Sequence, residues 1–498
     1  MAVSHQWFVQ WSSPPVVFTD ITKHYDNLNQ RWYGIESHRT ITALDKTVVA
    51  NNTYLPVLHI YIYLHHNPPP LINQLAGVAL WLAMLGVAQP QSVPADTDTP
   101  PFNTLYKWKY VDFEFLSPNH RRHALSSGKF VPENVLPLGI EVWGSRVWVT
   151  LPRWRRGVPA TLATVPRAGG LPSPPLKPYP DWNYHGAINM EKNCSGLTSV
   201  FRVNADHCGR LWILDSGQID SQDEPKQLCP PSIVVFDLHT DTLVARYTIP
   251  EKYVLQDSLF SNIIVDSRHH DCSDIHVYIA DTWRFGLLVF RQRDEQFWRF
   301  SHHLFYPDPL ASNYTLHGLN FQWADGIFGL ALTPIIESYD RILYFHSMSS
   351  YREFYVSTSI LQQPWRVNNS ATEFSLIGES RGLSGQSSAS AIDRRGVMFY
   401  GLVSKDSIGC WDTRKPYLKS NLGVVASNSE TLVFPNDLKI DQDKYQSVWV
   451  ISNRLPMFQD GPLDPDDYNF RIMHADSKEA VRQTVCDPLV EPSAEQGY

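Results

Sequence analysis

One phrase, an apolar run that in five copies closes on a polar residue or proline, occurs six times in this chain. It reads RVWVTLP at 146–152, RLWILDS at 210–216, HVYIADT at 276–282, IFGLALT at 327–333, VMFYGLV at 397–403 and SVWVISN at 447–453. The apolar cores begin at 147, 211, 277, 327, 397 and 448, so the copies stand 50 to 70 residues apart. A continuous apolar and aromatic run of this length is what a strand buried on both faces looks like. After two copies a second signature follows: SIVVFDL, HTDT, LVARYTI from Ser232, and GLLVFR, QRDE, QFWRFSH from Gly286, each a strand, a polar turn and a strand. One buried strand followed by a more polar hairpin is the plan of a propeller blade, and spacing above the usual repeat of about 40–50 residues leaves room for long loops. The expected fold is therefore all-β, a six-bladed β-propeller over residues 105–475, with each copy as the strand nearest the axis. Separate sandwich domains would need linkers between units. Only 89–102 and 166–180 are rich enough in Pro, Gly or Ser, and the second lies within a repeat interval.

Composition agrees with a well-packed β-protein. Hydrophobic residues make up 43% and aromatics 12% of the 498 residues, and the 36 prolines outnumber the 26 glycines, favouring short strands and fixed turns. The net charge of -8 offers no basic stripe for a phosphate backbone, so nucleic acid is not an expected partner. Six widely spaced cysteines without a C-x-x-C pair suit disulfides in an oxidising compartment better than zinc. Of the fifteen pairings, proximity in the repeat favours Cys208 with Cys229, Cys194 with Cys272, and Cys410 with Cys486, the last tying the tail to the disc. Sequons at Asn51, Asn193, Asn313 and Asn368 point the same way, towards secretion and glycosylation. Residues 75–88, LAGVALWLAMLGVA, have the length of a signal-peptide core and are short for a membrane span, and Gly86-Val87-Ala88 supplies small residues for cleavage. This divides the chain into an extension of unknown role (1–74), a signal-like or anchor segment (75–88), the propeller, and a polar C-terminal tail (476–498). A mature start near Gln89 is expected, and membrane contact only if 75–88 stays as an anchor.

Several stretches carry a resemblance beyond architecture. LPRWRRGVPATLATV (151–165), FRVNADHCGRLWILDSG (201–217), YIADTWRFGLLVF (278–290), FHSMSSYREFYVSTSIL (345–361), QSSASAIDRRGVMFYGLVSKDSIGCWD (386–412), FPNDLKID and VWVISNRLPMF (434–458) resemble the yellow and major royal jelly protein family of insects. The resemblance implies a secreted six-bladed propeller. It further implies a dopachrome-conversion-like role in cuticle pigmentation, binding of biogenic amines, or a storage role. It supplies no catalytic motif that transfers residue by residue.

Propeller ligands sit where loops converge at one end of the central channel. The residues leaving the repeated strand are Thr150, Asp215-Ser216, Asp281-Thr282, Thr333, Ser404 and Ser452-Asn453. Each also serves an ordinary turn, but as a ring they make a polar lining. Asp215 and Asp281 are the candidate catalytic carboxylates. Thr282, Trp283, Phe434, Asn436 and Asn453 are the candidate ligand-binding residues, with Trp323 available to stack on an aromatic ring. Ser216 lacks the G-x-S-x-G elbow of a hydrolase. His269-His270-Asp271 and His302-His303 are adjacent pairs whose side chains diverge on a strand. Asn436 could serve a metal-dependent lactonase if Asp215 or Asp281 joined it around calcium or magnesium. No cofactor is expected, and the expected partner is a small aromatic amine, catechol or indole compound, bound or converted.

Overall fold

Six four-stranded antiparallel sheets make up residues 103–476 of the computed structural model, each hydrogen-bonded in simple up-and-down order apart from the last. The structure describes residues 43–50, 53–60 and 187–189 by their backbone, and 102–186, 194–222, 224–267, 272–335 and 340–488 in full. The apolar segment 75–88, the histidines at 269 and 270, and the sequons at 51 and 193 lie outside the described residues. Ala43–Ala50 and Thr53–Ile60 form an antiparallel hairpin that belongs to a separate unit, Met1–Asp96. Among the described residues no helix is long and apolar enough to cross a membrane.

Written from the axis outwards, blade 1 is Gly139–Trp143, Arg146–Thr150, Leu162–Pro166 and Lys177–Pro178. Blade 2 is Val200–Ala205, Arg210–Asp215, Ser232–Asp237 and Leu243–Thr248. Blade 3 is Phe260–Ser267, Ile275–Asp281, Gly286–Arg291 and Gln296–Ser301. Blade 4 is Ile327–Leu332, Ile342–Ser347, Glu353–Ser357 and Ser375–Ile377. Blade 5 is Ser387–Ile392, Val397–Leu402, Ser407–Asp412 and Leu422–Ser427. Blade 6 takes Pro435–Ile440, Ser447–Ser452 and Phe470–Asp476 from the C-terminal side. Its outer strand is Asn103–Trp108, paired antiparallel to Phe470–Asp476. This last pairing closes the disc and leaves no open joint between first and last blades.

The all-β six-bladed fold matches the expectation, but the repeated phrase is not the inner strand. Five of the six copies are the second strand of their blade, and only Ile327–Leu332 lies against the axis. The second strand has a sheet neighbour on each edge and a blade on each face, so it can be apolar throughout. Inner strands instead carry groups that face the channel, such as Arg202, Asn204, Ser388, Ser390, Asp437 and Lys439, and these interrupt the hydrophobic run. Blade 4 is the exception because its inner strand, IFGLAL, is apolar throughout.

Six hydrogen bonds stitch the blades together around the channel. Thr150 Oγ1 donates to the Phe201 carbonyl (2.9 Å), Val265 N to Asn204 Oδ1 (2.8 Å), and Asn262 Nδ2 to the Phe328 carbonyl (2.8 Å). His346 Nε2 donates to the Ser388 carbonyl (2.7 Å), Ser388 Oγ to the Pro435 carbonyl, and Ile140 N to Asp437 Oδ2 (2.9 Å). Each satisfies a buried polar group that the curvature of the disc would otherwise leave unpaired. Arg210 adds a peripheral link from blade 2 to the Cys272 carbonyl, in the loop between the first two strands of blade 3 (3.2 Å).

All six cysteines are in disulfides, with Cys410 bonded to Cys486 as expected. The other two pairings are corrected to Cys194–Cys229 and Cys208–Cys272. Cys208 and Cys229 flank opposite ends of the strand Arg210–Asp215, and six extended residues span roughly 20 Å, far beyond the reach of one disulfide. Cys208 instead bridges from the turn after one inner strand to the loop after the next. Beyond Asp476 a short helix, Ser477–Val481, buries Ala480 and Val481, and Cys486 is fully buried beside blade 5.

Candidate functional site

Inner strands all start at one face of the disc, and second strands return to it, so that face gathers the loops around the channel mouth. A cavity of about 130 Å³ lies there. Its walls are Trp154, Phe201, Trp283, Trp323, Phe328 and Met348, with Arg202, Asn436, Thr282 and Asp325 as polar points. A small, largely aromatic cavity with few convergent polar groups is the usual form of a site for a flat organic ligand.

Asp325 is the chemically distinctive group. It lies in the loop that enters blade 4, and its main chain is fixed by Ser349: Asp325 N donates to Ser349 Oγ (3.2 Å) and its carbonyl accepts from Ser349 N (3.0 Å). Ser349 Oγ in turn donates to the Trp323 carbonyl (2.7 Å) and meets the Tyr314 hydroxyl (2.9 Å). The carboxylate accepts one hydrogen bond at Oδ1, from Trp283 Nε1 at 3.0 Å. No partner to Oδ2 is present among the described residues. Burial pushes the carboxyl up to about 6, with the Trp283 hydrogen bond pulling in the other direction. A carboxylate that changes charge near neutral pH beside an aromatic cavity can take a proton from carbon or hold an ammonium group.

The cavity floor carries the opposite charge. Arg202 is fully buried, with its guanidinium 5.6 Å from the Phe328 ring centre. It donates to the Phe201 carbonyl (3.2 Å), to the Asn436 carbonyl (3.3 Å) and to Asn436 Oδ1, and its Nε lies 3.4 Å from Asp437 Oδ2. Burial draws the guanidinium pKa down and Asp437 opposes this. The arginine plugs the channel and gives the cavity a fixed positive base.

Of the residues singled out from sequence, Thr282, Trp283, Asn436 and Trp323 line this cavity together. Phe434 stands behind it, buried and edge-on to Trp323 at 5.8 Å. Asn453 holds a loop instead, donating to the Pro137 carbonyl (3.0 Å) and accepting from Leu455 N (3.2 Å). Asp215 and Asp281 are at the same face but point into their own loops. Asp215 accepts from Thr198 N and Ser199 N (both 2.8 Å) and from Gly217 N (3.0 Å). Gly217 itself has φ +65° and would drive a Cβ into the Cys229 carbonyl, so this Asp-Ser-Gly is a tightly packed turn. Asp281 accepts from Ser258 Oγ (2.7 Å) and Leu259 N (2.9 Å) and pairs with Arg299 (2.8 Å). Both carboxylates are structural latches, and neither lines the cavity. Thr333 follows an inner strand and so emerges at the opposite face, where its carbonyl accepts from Arg341.

The metal reading loses its donors in the same way. Asn436 Oδ1 is occupied by the Arg202 cation, and neither Asp215 nor Asp281 approaches it. Among the described residues the one group of three possible ligands is His207, Cys208 and Cys272, whose two sulfurs form a disulfide. His302 is spent on the Ala371 carbonyl and Leu304 N.

Asp325 escaped the sequence reading for a topological reason. WADG at 323–326 has the composition of any turn, and aligning IFGLALT with the second strands of other blades assigned this loop to the wrong face. The usable signal was an Asp two residues after a Trp, just ahead of an apolar inner strand.

The sequence has known relatives. The family model described as major royal jelly protein matches residues 198–486. A dopaminechrome tautomerase of Drosophila melanogaster is 46% identical over 390 residues, covering 77% of this chain and 84% of the relative. Protein yellow of Drosophila erecta and of Drosophila melanogaster are each 39% identical over 386 residues, covering 77% of this chain and 70% of theirs. The chain therefore belongs to the yellow and major royal jelly protein family.

Proposed function

We propose that this propeller is a secreted tautomerase of pigment chemistry that isomerises an aminochrome of the dopaminechrome type to a dihydroxyindole at the Trp283–Asp325 cavity. The observation that carries the reading is one carboxylate with a pKa of about 6, held by a tryptophan N–H at the edge of an aromatic cavity. The 46% identity to a dopaminechrome tautomerase supports the choice of substrate class. Three disulfides support an oxidising compartment, and Asn313 and Asn368 are both exposed, as glycosylation requires.

The reaction needs proton movement and nothing else. Asp325 removes a proton from the saturated carbon of the five-membered ring that is conjugated through the dione, and the electron pair moves into the quinone as one oxygen gains a proton. Loss of a second carbon-bound proton and protonation of the other oxygen give the aromatic dihydroxyindole, with the molecular formula unchanged. Tryptophan walls hold the planar ring, and the buried Arg202 favours negative charge growing on a quinone oxygen at the floor.

The same carboxylate and aromatic walls would suit an ammonium ligand held without turnover. Purified protein mixed with dopaminechrome separates the readings. We expect dihydroxyindole to form at a rate proportional to protein, many equivalents per chain. Saturable binding with a rate no faster than heat-inactivated protein would overturn the enzyme reading and leave the binder.

A further inference from the structure

A second cavity, of about 620 Å³, opens at the other end of the channel, below the Arg202–Asp437 plug. The inner strands end there, and the side chains they present divide by blade. Blades 5, 6, 1 and 2, which are consecutive around the ring, contribute Ser390, Lys439, Glu141 and Asn204, whereas blades 3 and 4 contribute Ile264 and Leu330. At this level one wall of the mouth is polar and the other aliphatic, while Asn262, Ser267 and Arg341 add polar groups on the side of blades 3 and 4.

Most polar groups around the mouth are already committed. Glu141 accepts from Val142 N and Ala205 N (both 2.9 Å) and from Asn204 Nδ2 (3.1 Å), so its two oxygens are satisfied within the fold. Arg341 pairs with Asp266 at 2.9 Å, and Arg394 donates to the carbonyls of Gln442 and Asp443. Asp206, Asp393 and Asp441 each hold an arginine of their own. Lys439 is less committed: its charge acts on the buried Glu141 carboxylate, but no hydrogen bond or ion pair to its Nζ is present among the described residues. On the adjacent inner strand Ser390 is only 5% exposed, and its Oγ has no hydrogen-bond partner. A buried hydroxyl without a partner carries a desolvation cost that an incoming acceptor removes.

We propose that this end of the channel binds a small amphipathic carboxylate, its anionic group accepting from Lys439 Nζ and Ser390 Oγ and its apolar body lying against Ile264 and Leu330. One lysine and one hydroxyl match a single negative charge with two acceptor oxygens, and provide too little charge for a phosphate dianion. The aliphatic wall supplies a reason for a hydrocarbon body, since about 25 cal/mol is gained per Å² of apolar surface removed from water. The site is distinct from the Trp283–Asp325 cavity and does not depend on the proposed tautomerase activity.

Titration calorimetry on the whole secreted protein tests this with octanoate, acetate and 1-octanol as probes. We expect octanoate to bind saturably and both others at least about tenfold more weakly, because each lacks one half of the recognition. Lys439→Met should weaken octanoate by about tenfold or more, Ser390→Ala by less, and Lys439→Arg should keep most of the affinity and so control for folding. Asp325→Asn should bind octanoate as the wild type does. Octanol binding as tightly as octanoate, Lys439→Met binding unchanged, or loss of octanoate binding in Asp325→Asn would each overturn the proposal.

Discussion

Replacing Asp325 with Asn is expected to slow dopaminechrome conversion by about 10²–10⁴-fold, the usual contribution of a positioned general base. The amide keeps the shape of the side chain and can still accept from Trp283 Nε1, so the cavity should stay formed. Stability gives an independent check on the cause. Because burial raises the folded-state pKa to about 6, the stability associated with this carboxyl is fully present at acid pH and is lost as pH rises through about 6. At neutral pH the wild type therefore holds a charge that its surroundings disfavour, and Asp325→Asn should be at least as stable as wild type when unfolding is followed by circular dichroism. A variant that is slow and also unfolded would instead place Asp325 among the structural latches with Asp215 and Asp281.

The largest stability effect is expected at the channel plug. Arg202 and Asp437 are both fully buried, and removing one leaves the other as an uncompensated charge, at a cost of about 3–5 kcal/mol. Arg202→Met retains the apolar stem but strands Asp437 and Asn436 Oδ1, and it removes the cation over Phe328. Its urea midpoint should fall well below that of wild type. Arg202→Met combined with Asp437→Asn should recover part of the loss, because the amide carries no charge and its oxygen can still accept from Ile140 N, although the second acceptor, which serves Leu438 N, is lost. A single mutant that unfolds at the wild-type midpoint would mean that the plug contributes nothing to closing the disc.

The repeated apolar phrase revealed the number of blades because a strand enclosed on every side has no freedom to be polar. It concealed the order of strands within a blade for the same reason. The most enclosed strand is the second, while the strand at the axis must furnish channel groups such as Arg202, Asp437 and Lys439. Trp283 could be picked out as an aromatic directly after the Asp281-Thr282 strand end, able to stack on a ring, and Asn436 as an amide suited to an axial position, although the metal role that suggested it does not hold. Asp325 could not, since an Asp before Gly is ordinary turn chemistry and only the fold brings it to the Trp283 indole. Disulfide pairing failed where distance along the chain was used in place of distance across a strand. Cys410–Cys486 succeeded because the tail leaving blade 6 packs back on the neighbouring blade 5, where Cys410 lies.

The pH dependence of kcat/KM for dopaminechrome tests the central claim most directly. If Asp325 is the base, the rate should be flat at neutral pH and fall as pH drops through about 6, following the fraction of ionised carboxylate. In Trp283→Phe, which removes the hydrogen bond that favours the charged form, the midpoint should move to higher pH. A profile that stays level through pH 6, or a midpoint that Trp283→Phe leaves in place, would contradict the account.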